Sequence, residues 1–162
     1  MDYLWTPWRY SYIASGPKTD RCVFCQAVAA QDDAGTLIVL RAEKSFVILN
    51  RYPYTSGHVM VVPYAHVSDF SAADPDALAE MMRLAQRVQV ALVHTYRPEG
   101  FNIGMNLGRA AGAGIVDHLH LHVLPRWSGD ANFMTVVGET RVEPEELPTT
   151  YERLRKALAL SA

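Results

Sequence analysis

Asp117-His118-Leu119-His120-Leu121-His122-Val123-Leu124 alternates imidazole and aliphatic side chains without a break. Successive side chains of an extended strand point to opposite faces. The pattern therefore predicts a strand over Val116–Leu124 with His118, His120 and His122 on one face. Leu119, Leu121 and Val123 would line the other, core face. Packing does not ask for three imidazoles in a row, so the stretch marks a site as well as a strand.

Two chemistries suit such a row. A metal ion needs ligand nitrogens about 2.0–2.1 Å away, whereas positions two apart on a strand are about 6.5–7 Å apart and positions four apart about 13 Å. His118 and His122 cannot share one ion, so at least one histidine does something else. The second chemistry is nucleophilic. A neutral imidazole held in one tautomer by a hydrogen bond on its other nitrogen can attack phosphorus. His120 is the natural nucleophile because it has a histidine on each side.

Residues around the row suit a phosphate ligand. Gly108-Arg109-Ala110-Ala111-Gly112-Ala113-Gly114 precedes it, and small residues such as Gly112 and Gly114 let backbone N–H groups approach an anion. Asn102 and Asn106, four apart in the preceding strand candidate Phe101–Leu107, are expected to share a face and offer amide donors. Arg126 is an electrostatic partner for phosphate, and Trp127 is a ring able to stack a base or to pack.

The rest of the chain reads as one unit. Cys22–Ala30 suits a short helix. Thr36–Arg41, Phe46–Arg51 and His58–Val62 suit strands, and Tyr52–Gly57 is a loop. Asp74 is a good N-cap with Pro75 at the first helical position. Leu78, Met81, Ala85, Val88 and Leu92 then form a helical stripe. Asn132–Val137 is a candidate sixth strand, and Thr150–Leu160 suits a C-terminal helix with Tyr151, Leu154 and Leu158 on one face. Trp5, Trp8, Tyr10 and Tyr12 suggest an N-terminal arm that packs by its rings. Strands joined by short links favour an antiparallel meander with a central helix and a C-terminal helix, an α+β fold.

The 162 residues fit a single domain, and 49% apolar with 20% charged residues excludes a disordered chain. A formal charge of −2 argues against a polybasic nucleic-acid or membrane-surface partner. No apolar run approaches the roughly 20 residues of a membrane span, and Met1-Asp2-Tyr3-Leu4 does not open a signal peptide. Cys22-Val23-Phe24-Cys25 holds both cysteines and reads as a metal or redox pair in a reducing compartment. A cytoplasmic location is the expectation.

Three segments together resemble the histidine triad (HIT) family of nucleotidyl hydrolases and transferases. They are Gly57-His58-Val59-Met60-Val61-Val62-Pro63, Phe101-Asn102-Ile103-Gly104-Met105-Asn106-Leu107-Gly108, and the His-x-His-x-His strand closed by Leu124-Pro125-Arg126. The resemblance implies a single HIT domain over 1–162, with an arm at 1–21, a core at 22–127 and a C-terminal extension at 128–162 that carries a helix. It also implies a homodimer. It makes His120 the nucleophile, places His122 and His58 beside the nucleotide phosphates, assigns Asn106 a phosphate contact, and assigns Asn50 a contact with the ribose. It further implies a zinc ion on Cys22, Cys25, His66 and His118.

Many members carry Ala-Gly-Gln-Ser/Thr before the triplet. Here Ala111-Gly112-Ala113-Gly114-Ile115-Val116-Asp117 is one residue longer and lacks the glutamine. The opening Leu4-Trp5-Thr6-Pro7-Trp8-Arg9 and the segment 125–133 are similar to a bacterial branch that includes diadenosine tetraphosphate phosphorylases. The resemblance thus implies a purine dinucleoside polyphosphate substrate, with inorganic phosphate as acceptor and ATP and ADP as products. Water as acceptor would make a hydrolase of dinucleoside polyphosphates or nucleoside phosphoramidates. A nucleotide-binding sensor or interaction module is the reading outside enzymology, and the full triplet argues against it.

Overall fold

A computed structural model describes residues 21–130 and 145–160. The aromatic arm at Trp5–Tyr12 and the candidate strand Asn132–Val137 lie outside the described residues.

Cys22 is the N-cap of α1 (Val23–Ala29). A second short helix, α2 (Asp33–Thr36), occupies what reads as loop and the start of a strand. Asp32 caps it by accepting from the Gly35 N–H at 3.0 Å. Leu37 ends it at φ 68°, which delays β1 to Ile38–Arg41. Strands β2 (Ser45–Leu49) and β3 (Val59–Pro63) follow. The long helix α3 (Pro75–Tyr96) starts where expected, its N-cap Asp74 accepting from the Asp76 N–H at 3.0 Å. Strand β4 (Gly100–Gly104), strand β5 (Leu121–Arg126) and helix α4 (Leu147–Leu160) complete the described chain.

All five strands pair antiparallel, in the order β1-β2-β3-β5-β4. The first three strands run as a meander. α3 then carries the chain past the open edge, β4 becomes the new edge, and β5 returns into the gap. The fold is α+β, as the sequence implies.

The sheet has two differently covered faces, set by the period of two. Val47, Leu49, Val59, Val61, Leu121 and Val123 pack against Met81, Leu84, Ala85, Val88 and Leu92 of α3 and against Tyr151, Leu154 and Leu158 of α4. On the other face Phe46, Ile48, Met60 and Val62 pack against Phe24 and Ala27 of α1. The expected helical stripe and the C-terminal helix face are therefore used as the sequence suggests. His58, His120 and His122 have the parity of Met60 and fall on the α1 side.

The histidine stretch departs from its expected strand. The ladder between β3 and β5 pairs Val61 with Leu121, Met60 with His122 and Val59 with Val123. Two residues further along this register Pro63 would face Leu119, and proline has no N–H to give. The Leu119 N–H instead donates to the Val67 carbonyl at 2.7 Å. His118 and His120 thus precede the regular strand rather than belonging to it.

The turn before β3 needs a glycine. Gly57 is buried at φ +79°, and a Cβ there would lie 2.8 Å from Leu92 Cδ2. Both the positive φ and the clash oppose any side chain. Gly57→Ala is expected to lower stability by about 1–3 kcal/mol, measured as a shift in the urea unfolding midpoint. An unchanged midpoint would show that the turn relaxes freely.

Candidate active site

Five aromatic and imidazole rings form a continuous row across the α1 face. His66 and His118 are 5.1 Å apart between ring centroids, Phe24 lies 5.4 Å from both His118 and His120, and His120 lies 4.8 Å from His122. His58 extends the row, 5.1 Å from His122. His58 and His118 are almost fully buried, and His120 is only 5% exposed.

Backbone groups fix the tautomer of each central imidazole. The Tyr54 N–H donates to His58 Nδ1 at 3.2 Å. That nitrogen must be an acceptor, so the neutral ring carries its proton on Nε2. His58 Nε2–H then donates to His122 Nδ1 at 2.9 Å, which leaves His122 with its proton on Nε2. Asn50 reinforces the start of the chain: its Oδ1 accepts from the Tyr52 N–H at 3.0 Å, so its Nδ2 faces His58 Nδ1 at 3.3 Å. His120 Nδ1–H donates to the His118 carbonyl at 2.9 Å. Its Nε2 keeps the lone pair. A donor on His122 thus stands beside a nucleophile on His120.

Burial keeps both rings neutral. It pushes His120 below the usual imidazole range, against the opposing effect of the bond to the His118 carbonyl. It pushes His122 down to about 4, with repulsion from His120 adding to it. An uncharged His120 is the form that can attack phosphorus.

These two histidines open on a cleft of about 80 Å³ lined also by Asn50, Tyr52, Tyr54, Met60, Asn106, Gly112, Gly114 and Ile115. The structure brings His120, His122, Asn50, Asn106, Gly112 and Gly114 together. It places four expected ligand contacts elsewhere. His58 is 1% exposed and stands behind His122, where it orients that ring rather than reaching the cleft. Asn102 and Asn106 do not share a strand face, because β4 ends at Gly104. Asn102 Oδ1 instead accepts from Arg126 Nη1 at 2.5 Å. Arg126 also grips Asp130 through two bonds of 2.6 and 2.8 Å, which takes its charge out of the cleft. Trp127 is half-buried beyond β5 and does not line the cleft.

The glycine loop is partly self-bonded. The Gly112 N–H donates to the Arg109 carbonyl at 2.9 Å and the Ala113 N–H to the Gly108 carbonyl at 3.3 Å. The amides of Gly112 and Ala113 are therefore already engaged within the loop.

Tyr52, Tyr54, Met60 and Ile115 are cleft residues that the motif reading passed over. Met60 was legible, since it shares the strand parity of His58. The tyrosines were not, because loop composition does not say which way a ring turns.

Cys22, Cys25, His66 and His118 place one ligand atom each within 4.8 Å of the others. Cys22 Sγ and Cys25 Sγ lie 3.3 and 3.7 Å from His118 Nδ1, and Cys25 Sγ lies 3.5 Å from His66 Nδ1. Zinc bonds of about 2.3 Å to sulfur and about 2.0–2.1 Å to nitrogen give tetrahedral S···N edges of about 3.5 Å. His118 Nε2–H donates to the Pro63 carbonyl at 2.8 Å, which directs Nδ1 at the cluster and supplies the outer hydrogen bond usual for a metal-binding histidine. The residues present fit a closed zinc site.

Comparison with known proteins gives a consistent result. The HIT domain family matches residues 31–129. A Mycobacterium tuberculosis protein named AP-4-A phosphorylase is 41% identical over 158 aligned positions, which cover 93% of this chain and 80% of the relative. A Zn-bound histidine triad family protein from Mycobacterium smegmatis superposes with a TM-score of 0.71 at 34% identity, covering 87% of this chain and 95% of its own. Plasmodium falciparum diadenosine triphosphate hydrolase, at 16% identity and a TM-score of 0.59, shares the fold.

The buried His122 should resist protonation in the folded state. The unfolded chain takes up that proton first, near the ordinary imidazole pKa of about 6.5. The stability this burial contributes is therefore present above that pH and lost as pH falls toward about 4. Imidazole NMR is expected to find His122 half-protonated near pH 4. Titration close to the ordinary value would mean the ring is solvated.

Proposed function

The chain belongs to the HIT domain family, and from that premise we propose that it is a dinucleoside polyphosphate phosphorylase working through an adenylyl-histidine. It is an enzyme of this family. The observation that carries the finer reading is the tautomer pair at the cleft: a lone pair on His120 Nε2 beside a proton on His122 Nε2.

In the proposed reaction His120 Nε2 attacks an α-phosphorus of diadenosine tetraphosphate. A P–N bond forms and the P–O bond to the remaining chain breaks. ATP leaves, with the His122 Nε2–H donating to its departing oxygen. His58, and behind it the Tyr54 N–H, keep His122 a donor. Asn106 and backbone beyond Ala113 face the phosphates, and stabilising charge there lowers the barrier. Inorganic phosphate then attacks the adenylyl phosphorus, the P–N bond breaks, and ADP forms. Support for phosphate over water comes from the glutamine-free loop at Ala111–Asp117 and from the 41% identity to the AP-4-A phosphorylase. Glycines at 112 and 114 leave room for a second anion beside His120.

Zinc is proposed on Cys22, Cys25, His66 and His118, where with all four positions filled by protein it would support the fold rather than take part in the reaction. We place the chain in one HIT domain and in the reducing cytoplasm, where a free Cys22/Cys25 pair persists. No helix among the described residues is long and apolar enough to cross a membrane. A homodimer is supported by the exposed Ile103 on edge strand β4 and by Val90 and Val93 on α3, since an edge strand and apolar helix surface gain from a partner.

Incubation with diadenosine tetraphosphate, with and without phosphate, tests the reading by chromatography of the products. Phosphate is expected to accelerate consumption and give ATP and ADP, and a His120→Asn control is expected to give neither. ATP and AMP formed at a rate indifferent to phosphate would make the enzyme a hydrolase.

Elemental analysis of protein purified without chelator is expected to find about one zinc per chain. Metal-free protein with full thermal stability would remove the zinc assignment.

A further inference from the structure

Phe24 sits between the two cysteines of the metal cluster, yet its ring is spent on the histidine row. It is 2% exposed. Its centroid lies 5.4 Å from that of His118, edge-on at 76°, and 5.4 Å from that of His120, tilted at 50°. It does not line the cleft, so it does not touch a ligand there. We propose that Phe24 is a positioning residue that makes the alignment of the His120 imidazole depend on the Cys22/Cys25/His66/His118 cluster. The proposal rests on His120 being the nucleophile.

The helix that carries Phe24 is short, and outside the cluster it is held by Phe24 and Ala27 packing on Phe46, Ile48, Met60 and Val62 and by Arg41 Nη2 donating to the Val28 carbonyl. α1 is seven residues long, its N-cap Cys22 makes no side-chain capping bond, and only Phe24 and Ala27 are buried. Isolated helices of that length are marginal in water. Its first turn is anchored where Cys22 and Cys25 meet His118 and His66. Those cysteines flank Phe24 in sequence, so an ion bound by them would hold the turn that carries its ring.

His118 is anchored without help from the cluster. Its Nε2–H bonds the Pro63 carbonyl, and the next residue's N–H bonds the Val67 carbonyl. The carbonyl that receives His120 Nδ1–H therefore stays put when the cluster opens. α1 and its ring are what would move. Without Phe24 the side of His120 packed against it admits water, and the ring is free to turn about the single hydrogen bond to His118.

The distinguishing readout is the nitrogen NMR spectrum of the imidazoles, with His120 assigned through the His120→Asn variant. In zinc-loaded wild type, His120 is expected to show one tautomer, protonated on Nδ1. Phe24→Ala in the zinc-loaded chain is expected to give averaged tautomer signals at His120. Its kcat should fall between about tenfold and a hundredfold, as for a misplaced reacting group, with KM little changed. Phe24→Leu keeps an apolar contact and should fall between the two, and it serves as the test if the alanine variant does not fold. Withdrawing the metal from wild type with a chelator should reproduce the alanine spectrum at His120, and withdrawing it from Phe24→Ala should change His120 no further.

The proposal is overturned if the folded Phe24 variants keep the wild-type His120 tautomer and kcat. It is equally overturned if metal withdrawal leaves wild-type His120 unchanged, or disturbs it as much in Phe24→Ala as in wild type, or if no metal binds. A chain that shows the tautomer changes but does not turn over dinucleoside polyphosphates would sink the proposed function and leave this inference standing.

Discussion

The hydrogen bond from His120 Nδ1–H to the carbonyl of His118, 2.9 Å long, is the constraint on which the site depends. It decides which nitrogen keeps a lone pair, and only that nitrogen can act on a ligand. The carbonyl can play this part because its residue is held on both sides. His118 gives its ring proton to the Pro63 carbonyl, and Leu119 gives its N–H to the Val67 carbonyl. Had the β3–β5 ladder continued, these groups would have been spent on sheet pairing. Pro63 ends it, and the freed backbone becomes the frame of the site.

Neutrality of the pair at the cleft follows from its surroundings. The face under α3 and α4 is filled mostly by aliphatic side chains, while on the opposite face only the short α1 covers Phe46, Ile48, Met60 and Val62. That cover is enough to remove water from most of His120 and His122 and to depress both pKa values. A fully buried pair could not meet a ligand, and an exposed pair would be partly protonated near neutral pH. The one-sided cleft satisfies both demands.

The cluster and the cleft share a residue at each level of the structure. His118 contributes its side chain to the cluster and its carbonyl to His120. Phe24 lies between the cysteines in sequence and between the imidazoles in space. A HIT-family chain with a proposed structural zinc thus has a physical route from the metal ligands to the proposed nucleophile, through packing rather than through charge.

The amino-acid order alone sets the fold class, the start of α3 at Asp74-Pro75, the core faces of α3 and α4, and the central place of the histidine triplet. These follow from periodicity and caps, which are local properties of the chain. It also paired Cys22 and Cys25 with His66 and His118, through family resemblance rather than spacing. Contacts made in the folded chain, not local pattern, put His58 behind His122, tie Arg126 to Asp130 and Asn102, and part Asn102 from Asn106. Each of those depends on where a strand ends or which neighbour reaches a side chain first. Phe24 is the sharpest case. Its spacing marks it only as the filler of a Cys-x-x-Cys motif, and its position between two imidazoles arises because a seven-residue helix and the segment leading into β5, about a hundred residues later, meet on one face of the sheet.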